Sequence, residues 1–149
     1  FAPMSFELPD NSHRVPLGKA AVQREGTDVT VVSYARMAGE ARIAAATAAE
    51  QGISVEVIDL RTIAPWDRDT VLASAKKTGR VLIAHEAVKQ HGVGAEIAAV
   101  INEELFGQLK KPVKRLGGTF SPVPYSKPLE SAFAPNADVI LAAINELVN

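Results

Sequence analysis

VTVVSYARMAGEARIAAATAAEQGISVEVIDL, running from Val29 to Leu60, decides the fold. Val29–Tyr34 (VTVVSY) is a short apolar run of the kind that forms a buried strand. Met37–Gln51 then turns alanine-rich, with Ile43 and the Ala41/Ala45 and Ala44/Ala48 pairs marking a face at helical period. Gly52 stands where a left-handed helix cap is expected. Ser54–Leu60 (SVEVIDL) is a second strand. Strand, helix and strand in immediate succession form a crossover unit, which joins parallel neighbours with a right-handed connection.

The same alternation continues downstream. Pro65, Trp66 and Asp67 start a helix running to about Lys77, with Lys76 and Lys77 in its last turn and Gly79 beyond. Arg80–His85 (RVLIAH) is a strand. Gly94–Phe106 is a helix with Ile97, Val100, Ile101 and Leu105 along one side, and Pro112–Leu116 is a short strand. Gly117–Pro135 reads as a long proline-bearing loop. Asn136 then caps Ala137–Val148, whose stripe is Val139, Ile140, Ala143, Ile144 and Leu147. Upstream, Ala20–Arg24 is a strand candidate turned by Glu25–Asp28 into Val29–Tyr34, as its antiparallel neighbour. The expectation is an α/β domain over residues 18–149, preceded by a linker or arm over residues 1–17. Its open, mostly parallel sheet has about five strands, one antiparallel at the edge, with helices on both faces.

Composition narrows the function classes. The 149 residues are 47% hydrophobic and 22% charged, which suits one ordinary globular domain. A net charge of -1 makes no general case for nucleic acid or an anionic membrane. The chain has no cysteine, which excludes disulfides, thiolate metal sites and cysteine nucleophiles. No apolar run approaches the roughly 20 residues that span a bilayer. Phe1 is not an ordinary translation start, so a fragment of a longer subunit is expected.

In open parallel sheets, ligands gather beyond the carboxyl ends of the strands. Gly92-Val93-Gly94-Ala95-Glu96-Ile97 opens a helix there and mimics a dinucleotide fingerprint. Ile97 occupies the third glycine position, however, and six residues separate His85 from Gly92, too many for a tight turn. The next strand ends in Leu116-Gly117-Gly118, without an acid for a ribose. These glycines are therefore expected to permit close backbone approach. A self-contained nucleotide- or anion-binding domain using Gly92–Ala95 is the alternative.

His85-Glu86 offers acid–base or, with His91, metal chemistry. Adjacent residues on a strand point to opposite faces, so a structural or interface role is the expected one. No nucleophile elbow and no P-loop occurs. Lys110, Lys111, Lys114 and Arg115 read as a solvated edge. Glu96, Glu103 and Glu104 lie on the polar side of one helix, and Glu146 and the terminal carboxylate of Asn149 close another. Wet faces account for them; they would also suit a basic partner.

Several long stretches resemble one family. They are VPLGKAAVQREGTDVTVVSY (Val15–Tyr34), EVIDLRTIAPWD (Glu56–Asp67), KKTGRVLIAHEAV (Lys76–Val88), HGVGAEIAAVINEELF (His91–Phe106) and PLESAFAPN (Pro128–Asn136). In this order and spacing they are similar to the beta subunit of thiamine diphosphate-dependent 2-oxo acid dehydrogenases. The pyruvate or acetoin type is nearest and the branched-chain type is possible. A transketolase or deoxyxylulose phosphate synthase tail shares the fold, but His85-Glu86 and PLESAFAPN favour the 2-oxo acid family.

The resemblance is to the carboxyl-terminal, transketolase-like domain of that subunit. It implies that a pyrimidine-binding domain of about 190 residues, near ordinary domain size, precedes Phe1. It also implies that thiamine diphosphate and magnesium belong to the full enzyme, with no cofactor, metal or catalytic residue in this fragment. The implied role is assembly with the alpha subunit and a second beta subunit, and docking onto the basic peripheral subunit-binding domain of the dihydrolipoyl acyltransferase. The candidate subunit interface is His85, Glu86, His91, Gly92 and Gly94. The candidate docking surface is Glu103, Glu104, Glu146 and Asn149. The implied location is bacterial cytoplasm or, in a eukaryote, the mitochondrial matrix. Two residues depart from the family: Ala35 stands where it often has glycine, and His91 where it usually has the first of two.

Overall fold

A computed structural model describes residues 14–149. Of the linker expected over residues 1–17, all but the last four positions lie outside the described residues. The elements are β1 (Ala21–Arg24), β2 (Val29–Ser33), α1 (Arg36–Glu50), β3 (Val55–Asp59), α2 (Arg68–Thr78), β4 (Val81–Val88), α3 (Val93–Leu105), β5 (Lys114–Gly118), α4 (Lys127–Phe133) and α5 (Ala137–Val148). They build one five-stranded sheet in the order β1-β3-β2-β4-β5. Its β3-β2, β2-β4 and β4-β5 pairs are parallel, and β1 runs antiparallel at the edge.

Sequence position misleads about β1. It pairs with β3, Ala21 opposite Asp59 and Val22 opposite Ile58, and not with β2, the next strand along the chain. Right-handed crossover through α1 places β3 directly beside β2, which leaves the outer edge of β3 as the free one. The turn between β1 and β2 passes beneath the start of β3. A Cβ on Gly26 would lie 2.2 Å from the amide nitrogen of Glu56, so only glycine fits.

Two apolar clusters lie on the two faces of the sheet. Val29, Val31, Val55, Val57, Leu82 and Ala84 pack under α1 and α5. The alternate residues Val32, Ile58, Val81 and Ile83 pack under α2 and α3. Being covered on both sides is why these strands read as continuous apolar runs. The small faces Ala41, Ala44, Ala45 and Ala48 are fully buried and bring α1 close to the sheet and to α5.

The helix boundaries have local causes. Asp67 caps α2, accepting from the Thr70 amide and hydroxyl, so the helix begins at Arg68 and not at Pro65. Its Oδ2, which takes the Thr70 hydroxyl, also accepts from the Ala20 amide at 3.0 Å, tying the segment before β1 to the start of α2. Gly79 ends α2 in the left-handed conformation, and Gly52 follows α1 at φ 80°. The Gly117–Pro135 stretch is not all loop. It contains α4, with Pro128 in the first turn, where a proline breaks no helical bond. Strand β4 also runs past His85 to Val88.

Candidate functional site

The strand order reverses about β2, so the crevice position of this fold lies at the carboxyl ends of β2 and β4. These ends bring together Ser33, Tyr34, His85 and Glu86. Tyr34 and His85 share the α3 face, their rings stacked with centroids 6.3 Å apart and planes at 24°. Glu86 turns to the other face and accepts from Arg36 Nη1 at 3.0 Å. The adjacent histidine and carboxylate therefore diverge, as strand geometry requires.

His85 is fully buried. Its Nδ1 lies 2.9 Å from the Ala87 carbonyl, which can only accept, so Nδ1 carries a proton and donates to that oxygen. Nε2 is buried without a hydrogen-bond partner. Burial lowers the imidazole pKa, the bond to Ala87 opposes that shift, and the Arg115 charge adds to it. Tyr34 shifts upward, chiefly through burial and also through the neighbouring Glu86 charge.

Three glycines make room for the imidazole. A Cβ on Gly94 would come within 2.6 Å of Nε2, one on Gly92 within 2.8 Å of Cε1, and one on Gly117 within 2.9 Å of Cε1. The Gly92 position is also closed by the Val88 carbonyl oxygen, 2.5 Å away. The glycine-rich start of α3 is thus filled from within by His85 and β4. Sequence had named Gly92 and Gly94 beside His85 as interface candidates. The structure brings these three into one cluster and adds Gly117 and Tyr34. Gly117 followed from no signal, because its contact with His85 crosses from β5 to β4.

Three residues at this end have positive φ without being glycine: Ala35 (φ 51°, ψ -133°), Arg61 (φ 57°) and His91 (φ 57°). At Ala35 and His91, where the resemblance leads one to expect glycine, a left-handed backbone is the physical reason glycine would suit. His91 is exposed, away from the buried ring. His85, Glu86 and His91 form no metal-ligating group, and none of three or more such residues occurs among the described residues.

The acidic candidates fall on two elements. Glu103 and Glu104 are on α3, Glu146 and Asn149 at the end of α5, and these helices cover opposite faces of the sheet. Glu104 is paired with Arg68 and Glu146 with Lys114. Glu103 is exposed, with no ion pair among the described residues. Only Glu146 reaches β5, through Lys114, while Glu104 faces α2, so the four residues do not form one patch.

A second polar cluster lies at the opposite end of the sheet. Glu56, 2% exposed, accepts from Ser74, from Lys77 and from the Gly26 amide. Burial alone would raise its pKa; the hydrogen bonds from Lys77, Ser74 and Gly26 outweigh that and hold it below the usual range. Thr30 Oγ1 joins Ser74 Oγ at 2.7 Å and Thr78 Oγ1 at 2.9 Å. The available signal was a glutamate inside an apolar strand covered on both faces, which must find a partner.

The family profile described as "Transketolase, C-terminal domain" matches residues 18–140. The chain is 47% identical over 141 residues to "Pyruvate dehydrogenase E1 component subunit beta-1, mitochondrial" of Arabidopsis thaliana, covering 95% of this chain and 39% of that protein. It is 51% identical over 122 residues to "2-oxoisovalerate dehydrogenase subunit beta, mitochondrial" of Chaetomium thermophilum, covering 79% and 26%. Among solved structures, "Split gene transketolase, inactive beta4 tetramer" superposes with a TM-score of 0.80 at 29% identity, over 95% of this chain and 45% of that one. The chain thus spans less than half the length of each of these relatives.

Proposed function

This chain belongs to the transketolase C-terminal domain family, and from that premise we propose that it is the assembly and partner-docking domain of a 2-oxo acid dehydrogenase decarboxylating component. The glycine-rich start of α3 is filled by His85 and the end of β4, which supports a packing role for these glycines. The whole enzyme would decarboxylate a 2-oxo acid on thiamine diphosphate, held with magnesium by other domains, and pass the acyl group to lipoamide. It would work in bacterial cytoplasm or the mitochondrial matrix.

One observation carries the assembly reading. Between β5 and α5, Phe120, Val123, Tyr125 and Leu129 are exposed, Phe120 by 67%. A run of large apolar side chains left in water marks a surface that another protein covers. The occupant we assign is a neighbouring subunit of the same component, consistent with relatives named as subunits. Within residues 18–149 we assign His85, Glu86, His91, Gly92 and Gly94 to the same subunit interface, where Glu86 and His91 reach solvent and His85 is buried behind them. The acids Glu103 and Glu104 on α3 and Glu146 and Asn149 at the end of α5 lie on opposite faces of the sheet, so a basic acyltransferase domain docking on all of them would have to reach both faces.

The experiment is assembly of the full-length beta subunit with its alpha partner, followed by light scattering. Phe120→Ser with Tyr125→Ser should leave the subunit folded and abolish the assembled species. Wild-type assembly by that variant overturns the reading. Charge reversal at Glu103, Glu104 and Glu146 should weaken association with the acyltransferase domain and flatten its salt dependence.

A further inference from the structure

We propose that the groove between β1 and α1 binds a small phosphate monoester with an apolar or aromatic body. The groove has a volume of about 570 Å³ and is lined by Gln23 and Arg24 of β1 and by Gly39, Arg42, Ile43 and Ala46 of α1. None of these residues belongs to the His85 cluster or to the apolar 120–129 segment, and the subunit-assembly reading makes no use of them.

Arg36 is paired with Glu40 and Glu86, and Arg68 with Glu104. Among the described residues, Arg24 and Arg42 have no carboxylate partner, and the Nε of Arg24 is buried without a hydrogen-bond acceptor. Nearby acids are already engaged. Glu25 is paired with Lys77, Glu40 with Arg36, and Asp59 accepts from Gln23 and from the Arg61 amide. An oxyanion entering the groove would meet two guanidinium groups that no carboxylate compensates. Two guanidinium groups in one groove match a dianion, and their fork geometry suits phosphate.

The groove floor gives an independent argument. Gly39 lies inside α1, where glycine is the least favourable residue after proline. No left-handed backbone requires it, and a Cβ there would meet nothing within 4 Å. Packing and conformation therefore both leave Gly39 unexplained, whereas an open floor explains it. Ile43, 58% exposed, and Ala46 continue that floor as an apolar ledge beside the two arginines. A ligand with its phosphate on Arg24 and Arg42 would lay its apolar part on this ledge, within the size range of small-molecule sites.

The test is a titration of the chain, followed by NMR of backbone amides and arginine Nε–H groups, with phenyl phosphate, inorganic phosphate and benzoate as probes. Phenyl phosphate should shift Gly39, Arg24 and Arg42 saturably and bind at least fivefold more tightly than either other probe. Arg24→Gln and Arg42→Gln should each weaken it tenfold or more. Gly39→Leu fills the floor without a clash; it should abolish phenyl phosphate binding while the unfolding midpoint holds or rises. Absence of saturation, equal affinity for inorganic phosphate, or unchanged affinity in the arginine or Gly39→Leu variants overturns the proposal.

Discussion

A Cβ placed on Gly94 would stand 2.6 Å from Nε2 of His85, so the first turn of α3 rests directly on a buried imidazole. The ring is confined on its other sides by Gly92, Gly117 and Tyr34 and cannot swing away. Gly94→Ala is therefore expected to destabilise the fold by about 1–3 kcal/mol, the range for overpacking a filled interior. Urea unfolding measures it. His85→Ala alone should also destabilise by leaving a cavity, but the double variant should recover at least about 1 kcal/mol of the summed loss, because the added methyl enters the vacated space. Additive losses would show that the contact is not the cause.

The same burial makes stability depend on pH. The folded-state pKa of His85 lies below its unfolded value, so the unfolded chain takes up the proton first. The contribution is fully present above about pH 6.5 and declines as pH falls toward the folded pKa, by up to about 1.4 kcal/mol per pH unit. His85→Gln should flatten the stability profile between pH 7 and pH 5. A slope unchanged by that substitution would assign the titration to another group.

Ala35 and His91 hold backbone conformations that glycine adopts without strain. Ala35→Gly is expected to raise stability by about 1 kcal/mol, and His91→Gly by about 0.5–1 kcal/mol. Ala46→Gly, on the exposed face of α1, should do the opposite by about 1 kcal/mol. Denaturant midpoints at constant slope distinguish the signs.

Lys77 compensates the buried Glu56 carboxylate. Lys77→Met should cost about 2 kcal/mol at pH 7, less than the largest buried-pair values because Lys77 is partly exposed and Ser74 and Gly26 still donate to Glu56. The folded pKa of Glu56 is depressed, so its contribution is present above the unfolded value and is lost as pH falls through the folded one. The penalty of Lys77→Met should accordingly shrink in acid. Thermal melts at pH 7 and pH 4 compare the two.

Asp67 joins two segments through one carboxylate. Asp67→Ala removes the cap of α2 and leaves the Ala20 amide without its acceptor, for an expected loss of about 2 kcal/mol. Asp67→Asn keeps one oxygen for one of the two jobs and should recover part of that loss. Hydrogen exchange at Ala20 and Thr70 would show which bond the asparagine retains.

Sequence by itself determined what depends on neighbours along the chain. The runs VTVVS, VEVID and VLIAH are strands because β-branched residues fill a sheet buried on both faces, and Ala41, Ala44, Ala45 and Ala48 make a helix face at period 3.6. Their alternation dictates a parallel sheet, and the divergence of His85 and Glu86 follows from strand geometry alone. Tertiary structure decided what depends on residues far apart. It placed β1 on β3, whose free edge exists only once the crossover through α1 is complete. It closed Gly92, Gly94 and Gly117 around one imidazole and set Glu103 and Glu146 on opposite faces. It also gathered Arg24, Gly39 and Arg42 into one groove. Periodicity records which side of its own element a residue occupies; which distant residue meets it there is set only when the elements pack.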